Sequence, residues 1–115
     1  MTPERFQGVV DRRLKAIKLV LEQKNKEQYA TVKDALHNFH AAAKRRGVSP
    51  AEALQGMVVK HEIALDDMIR RRAPVSHKRV DEVLGDIIVY AILQEGNLTE
   101  SLDNHGGVPH YYQQL

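Results

Sequence analysis

The sequence predicts an all-α fold: a four-helix, bundle-like domain over residues 1–96, followed by an irregular, extended or partly ordered tail over 97–115. Three observations carry this. Apolar residues recur at three- and four-residue intervals in four separate stretches. Residues that start or stop helices bound most of these stretches. No stretch alternates apolar and polar residues as a half-buried strand would.

The first stretch places Val10, Leu14, Ile17 and Leu21 on one stripe. Pro3 suits a first helical turn and Thr2 its cap, so the spacing predicts a helix from about Pro3 to about Gln23. Lys24 to Tyr29 is polar and reads as a connector. Val32, Leu36, Phe39 and Ala43 form the second stripe, with Thr31 as a cap and Asp34 three residues on. Lys44-Arg45-Arg46-Gly47 closes it, a basic last turn before a glycine. Ser49-Pro50-Ala51-Glu52 opens the third helix with a capping box and a first-turn proline. That helix carries Leu54, Met57, Val58, His61, Leu65 and Met68, and stops near Arg72, since Pro74 disfavours helix before it. The fourth follows Pro74-Val75-Ser76, carries Val80, Leu84, Ile87, Ile88 and Ala91, and is read as ending at Gly96. Gly106-Gly107 and Pro109 break any later helix, and Tyr111 and Tyr112 are candidates for docking the tail. Short connectors predict mostly antiparallel neighbours, with the third and fourth helices as a hairpin.

Bulk composition narrows the class. The chain has 115 residues, 43% hydrophobic and 28% charged, which fits one globular domain with a modest core. It contains no cysteine, so disulfides, thiolate zinc sites and cysteine nucleophiles are excluded. No apolar run approaches the ~20 residues of a membrane helix, and Met1 to Arg5 lacks a signal-peptide core. The expectation is a cytoplasmic protein that does not enter membranes (host cytoplasm if phage-encoded). The net charge of +2 and pI near 9.0 do not by themselves imply nucleic acid. The basic clusters at Lys44–Arg46 and Arg70–Arg72 suit helix C-termini; the alternative is a phosphate-contacting rim.

The segment Asp81 to Tyr90 is the candidate chemical site. Glu82 and Asp86 are one helical turn apart in an otherwise apolar stretch, and Tyr90 continues that face. Carboxylates on such a stripe call for a partner, and a divalent cation is one.

Asp81-Glu82-Val83-Leu84-Gly85-Asp86-Ile87-Ile88-Val89-Tyr90 resembles the Glu-Glu-Leu-Gly-Asp helix of MazG-like, all-α nucleotide pyrophosphohydrolases. A longer likeness, over roughly residues 20–95, is to the nucleotide-modification-associated domain family of phage and bacteria. It rests on Lys24-Asn25-Lys26 with Tyr29, Asp34 to Phe39, Ser49-Pro50, Gly56 to His61, Asp67-Met68, and Glu82 to Tyr90. The resemblance implies magnesium-dependent hydrolysis of the α–β bond of a nucleoside triphosphate, with carboxylates from two facing helices around the metal. It also implies a homodimer or higher homo-oligomer, and a place in phage nucleotide metabolism or DNA modification. The sequence departs from the family pattern. The third helix has Glu62 with Asp66 or Asp67 but no Glu-x-x-Glu, and Val83 stands where the fourth helix would carry the first Glu of Glu-x-x-Asp. An altered site that binds a nucleotide without hydrolysing it is therefore also open.

On this reading Glu82, Asp86 and Asp67 are the catalytic and magnesium-binding residues. Magnesium takes oxygen ligands, often one or two carboxylates with phosphates and waters, and phosphoryl chemistry needs chiefly charge neutralisation and a positioned water. Lys60 is a candidate phosphate contact, two turns before Asp67. His61 is a candidate donor to substrate or holder of an acid. Asn38, Asp34 and Tyr90 are candidates for orienting base or sugar. Each has a plain structural alternative. Glu82 can pair with Lys78, Asp86 with Lys60 or an arginine, and Asp66 or Asp67 can be solvated. His61 can be a hydrogen-bonded core histidine, and Asn38 can satisfy nearby backbone. His37 and His40 lack a third transition-metal ligand at diagnostic spacing; His105 and His110 are weaker still.

Two further function classes compete. A non-catalytic helical interaction module would use the bundle for oligomerisation. A nucleic-acid-binding regulator would use the Gly47–Pro50 junction as a helix-turn-helix, but Glu62, Asp66 and Asp67 on the third helix would repel phosphates.

Overall fold

The computed structural model describes residues 1–31 and 34–104, residues 28–31 as backbone only. They form four helices: α1 (Pro3–Thr31), α2 (His37–Arg46), α3 (Pro50–Ile69) and α4 (His77–Asn104). No strand occurs among the described residues. The tail from His105 onward, with Tyr111 and Tyr112, and the expected stripe position Val32 lie outside the described residues.

The caps explain most helix boundaries. Thr2 Oγ1 accepts the Arg5 amide at 3.2 Å. Ser49 and Glu52 form the expected capping box, with Pro50 in the first turn. Ser76 Oγ accepts the Arg79 amide and caps α4. At the end of α2, Gly47 adopts the left-handed conformation (φ 69°) that glycine takes without Cβ strain. Val48 then donates back to the Ala43 carbonyl at 3.1 Å. After α3 the same left-handed turn falls on Arg71 (φ 56°), so the helix stops at Ile69, slightly before the expected point.

Three boundaries differ from the sequence reading. The expected connector at Lys24 to Tyr29 is helical, and Thr31 ends α1 rather than capping α2. Its two lysines, glutamate and glutamine are good helix formers, and Gln23, just before it, reaches Glu27 one turn on at 2.8 Å. Helix α2 instead starts after Asp34, whose Oδ1 accepts the Leu36 amide in a local turn. Helix α4 passes straight through Gly96, so the helical body extends to Asn104 rather than ending at residue 96. Tertiary packing overrides the glycine: the Leu36 side chain sits over Gly96, and Asn97 is buried at 4% exposure.

Helix α4 is the centre of the arrangement. α3 runs antiparallel to it, as the hairpin predicts, with Gln94 donating to the Ala51 carbonyl and His61 beside Asp86. Where short connectors predict mostly antiparallel neighbours, α1 runs parallel to α4: Arg13 meets Asp81, and Leu21 shares a cleft with Ile92 and Leu93. α2 packs on α3 and continues in the direction of α1 along the second half of α4, placing Leu36 at Gly96 and His40 at Glu100. The hydrophobic core is small. Among the described residues it comprises Ile17, Phe39, Ala43, Ala53, Leu54, Met68, Val83 and Val89, of which only Ile17 comes from α1.

One polar clamp fixes the far end of α4. His40 Nδ1 lies 2.6 Å from Asp34 Oδ2, and Nε2 faces Glu100 Oε1. Both ring nitrogens can donate at once only in the imidazolium. The hydrogen bond to Asp34, reinforced by Glu100, raises the His40 pKa despite partial burial. Burial alone would push the Asp34 carboxyl up, but the bonds from His40 and the Leu36 amide outweigh it and hold it below its usual range.

Two predictions follow from this packing. A Cβ on Gly96 would meet Leu36 at 3.4 Å, ordinary contact. Gly96→Ala should therefore stabilise the fold by ~0.5–1 kcal/mol through helix propensity, read as a higher denaturant midpoint. The clamp should also make stability depend on pH. A raised His40 pKa contributes stability that is full below its ordinary value of 6.5 and is lost as pH rises through the folded value. The lowered Asp34 pKa contributes above 3.8 and is lost as pH falls through its folded value. The melting-temperature gap between the native chain and His40→Gln should be widest in the window between those two ordinary values and narrow toward alkaline pH. A gap constant from about pH 5 to pH 9 would refute the clamp.

Candidate functional site

The α3–α4 hairpin brings together three of the residues singled out from sequence. His61 Nδ1, on α3, lies 3.4 Å from Asp86 Oδ2 on α4. The His61 ring is also tilted against Tyr90, with centroids 5.3 Å apart. Asp86 and Tyr90 are one turn apart and His61 spans them from the facing helix, so an i,i+4 pair on one helix becomes a three-residue cluster across two. His61 is largely enclosed, while the Asp86 side chain is 56% exposed. The expected buried carboxylate stripe is thus a half-exposed one. The partner of Asp86 is His61 rather than Lys60 or an arginine.

Glu82 lies one turn before Asp86. It receives Arg79 Nη1 at 3.5 Å, an exposed pair within α4 that replaces the Lys78 pairing considered from sequence. Pairs of this kind contribute only ~0.3–0.5 kcal/mol, so Glu82 is not locked away from a ligand. Asp66 bonds Arg70 at 3.0 Å. Asp67 is half-buried, and the hairpin register sets it level with Arg79. Among the described residues, no group of three His, Asp or Glu side chains is arranged to hold a metal ion. Glu82 and Asp86 remain as an adjacent carboxylate pair.

These two carboxylates line a groove of about 320 Å³ between α1 and α4, together with Arg12, Arg13 and Asp81. Arg13 Nη2 donates to Asp81 Oδ1 at 2.5 Å, and Arg12 lies 3.6 Å from Oδ2 of the same carboxylate. Gly85 makes room for the Arg13 guanidinium, since a Cβ there would come within 3.2 Å of Nη1. The groove therefore sets two guanidinium groups opposite three carboxylates, a polar environment with both signs of charge. Sequence reasoning passed over Arg12, Arg13 and Asp81. The available signal was Arg13 itself, which sits four residues before Ile17 on the apolar stripe of α1.

The remaining candidates disperse. Asn38 lines a separate cleft of about 360 Å³ with Lys24, Asn25 and Phe39, where α1, α2 and α4 meet. Tyr90 also borders a shallow depression with Gln55, Glu62 and Gln94. Lys60 is exposed on α3. Asp34 is engaged by His40 in the clamp, which also removes His40 from the histidine pair considered with His37. No helix among the described residues is long and apolar enough to cross a membrane. Comparisons with family models, curated proteins and solved structures return no match to this chain.

Proposed function

We propose that the chain is a MazG-like nucleotide-binding module that takes a magnesium-complexed nucleoside triphosphate in the groove between α1 and α4. The observation that supports this best is that Glu82 and Asp86 line one groove with Arg12 and Arg13, while His61, stacked against Tyr90, holds Asp86 from the α3 side. Glu82 and Asp86 offer the carboxylate oxygens that magnesium takes, and phosphate and water would supply its remaining ligands. Bound there, the ion would neutralise phosphate charge. Arg12, the more exposed of the two arginines, would contact the phosphate chain. His61 would keep Asp86 in place, with Tyr90 holding the imidazole plane. Hydrolysis of the α–β bond, giving monophosphate and pyrophosphate, is the reaction this donor set would serve. The three carboxylates in the groove argue against a nucleic-acid backbone as the ligand.

The test is magnesium-dependent pyrophosphate release across canonical and modified nucleoside triphosphates, alongside nucleotide-induced shifts in melting temperature. Asp86→Asn should remove release, and the magnesium-dependent part of the shift, while leaving helical content intact. Release that is unchanged in Asp86→Asn would defeat the assignment of this site. Neither release nor a thermal shift with any nucleotide would defeat the nucleotide reading itself.

A further inference from the structure

We propose that the tip of the α3–α4 hairpin binds the phosphate backbone of a nucleic-acid duplex through Arg71, Arg72 and Lys78.

Two local preferences of helix ends are overridden at this tip, and cations override both. α3 closes in a Schellman turn: the Arg72 amide donates to the Asp67 carbonyl at 2.8 Å and the Arg71 amide to the Met68 carbonyl at 3.2 Å. Such a turn needs a left-handed residue, normally glycine, because a Cβ is crowded in that conformation. α2 closes with the same bond, from the Val48 amide to the Ala43 carbonyl, and has Gly47 at the left-handed position. α3 has Arg71 there, at φ 56°. Across the link, the start of α4 is the positive end of a helix dipole, which favours acidic residues. α1 has Glu4 in its first turn and α3 has Glu52; α4 has no acidic residue there and opens with His77, Lys78 and Arg79. Glycine at position 71 and a first turn without cations would each suit the fold better.

The other cations at this end serve the fold. Arg70 pairs with Asp66, Arg79 with Glu82, and Arg12 and Arg13 with Asp81. Arg71, Arg72 and Lys78 are exposed, and their side chains have no hydrogen bond or ion pair among the described residues. The neighbouring acids do not neutralise them. Asp66, Asp81 and Glu82 are held in the pairs just named, and Asp67 is half-buried one turn before Arg71. Glu4 and Arg5, at the adjoining start of α1, offset each other. Residues 70–79 contain five arginines and lysines and no acidic residue. Three unpaired charges, two of them set against local helix preference, call for an anion outside the chain.

The chemistry of the tip selects phosphate on a polymer. Guanidinium forks match phosphate oxygens in a bidentate fashion. Packed helices lie ~8–10 Å apart, so cations at the end of α3 and the start of α4 span about three phosphates of one strand, at ~3.4 Å of helix axis each. A lipid surface or a protein partner calls for more apolar area than the tip offers. Within residues 66–82 the exposed large apolar side chains are Ile69 and Val75. No Phe, Tyr or Trp occurs in that span to stack on the bases of a single strand, which leaves the duplex backbone. None of the three cations lines the groove of Glu82 and Asp86, so the inference stands apart from the nucleotide reading.

The experiment is fluorescence anisotropy of a fluorescein-labelled DNA duplex of about 20 base pairs, titrated with the full chain across a range of salt concentrations, with a thermal melt of each variant. The expected result at low salt is sequence-independent binding with a Kd of ~1–100 µM, and a slope of log K against log salt of about −2.7 for three neutralised phosphates. Arg71→Gly and Lys78→Gln should each weaken binding at least threefold and reduce the slope by about one. Arg71→Gly should also raise the melting temperature, because glycine suits the left-handed turn, which separates a lost contact from a lost fold. Lys44→Gln, an exposed cation near the end of α2, should change neither affinity nor slope. No binding at low salt overturns the proposal, as does binding that Arg71→Gly and Lys78→Gln leave unchanged or that only Lys44→Gln removes. Competition by phosphatidylserine vesicles or by polyglutamate as effective as that of unlabelled duplex, at equal charge, also overturns it and assigns the tip to a lipid surface or an acidic protein.

Discussion

The chain folds back through a short link between α3 and α4, and the antiparallel seam between these helices is the surface to which the other two are added. Leu54 and Met68 from α3 and Val83 from α4 are among the few well-buried residues described. Each contributes ~1.5–3 kcal/mol on burial, against a backbone entropy cost of ~1–2 kcal/mol for every residue ordered. A core this small leaves little surplus. α2 is secured through its tight Gly47 turn onto α3, and α1 through a single line of contact with α4. The position of every candidate functional residue is inherited from that seam.

Polar ties supplement the thin core at its margins. Arg13 and Asp81 join α1 to the start of α4, His40 joins the α2 region to its end, and His61 with Asp86 closes the middle of the hairpin. None of these pairs is deeply buried, so none incurs the heavy desolvation cost of an interior ion pair. Their value is largely geometric. They set where α1 begins along α4 and where α4 is anchored at its C-terminal end. In doing so they place two arginines across a groove from Glu82 and Asp86. Inside α4, Asn97 is buried with its carboxamide donating to Gln94, while its side-chain oxygen has no partner among the described residues.

The shortage of apolar cover extends to α1. Among the described residues α1 packs chiefly on α4, and Leu14 of its stripe is left 63% exposed.

Much of the secondary structure was legible in the sequence because it is dictated locally. Four stripes at helical spacing, the Ser49–Glu52 capping box, the Gly47 stop and the Ser76 start are all decided within a few residues of themselves. The α3–α4 hairpin followed from the shortness of its link. Local signals misled where distant contacts outweighed them: Gly96 read as a stop because glycine disfavours helix by about 1 kcal/mol, yet Leu36 and Glu100 carry α4 beyond it. The candidate site was legible in part. Asp86 and Tyr90 share a face by spacing alone, but that His61 completes the cluster depends on hairpin register, which periodicity does not encode. The parallel course of α1, the arginines opposite Glu82 and the capture of His40 between Asp34 and Glu100 were decided only by tertiary structure. They depend on which of several similar apolar faces come together, and sequence spacing states the faces without stating their partners.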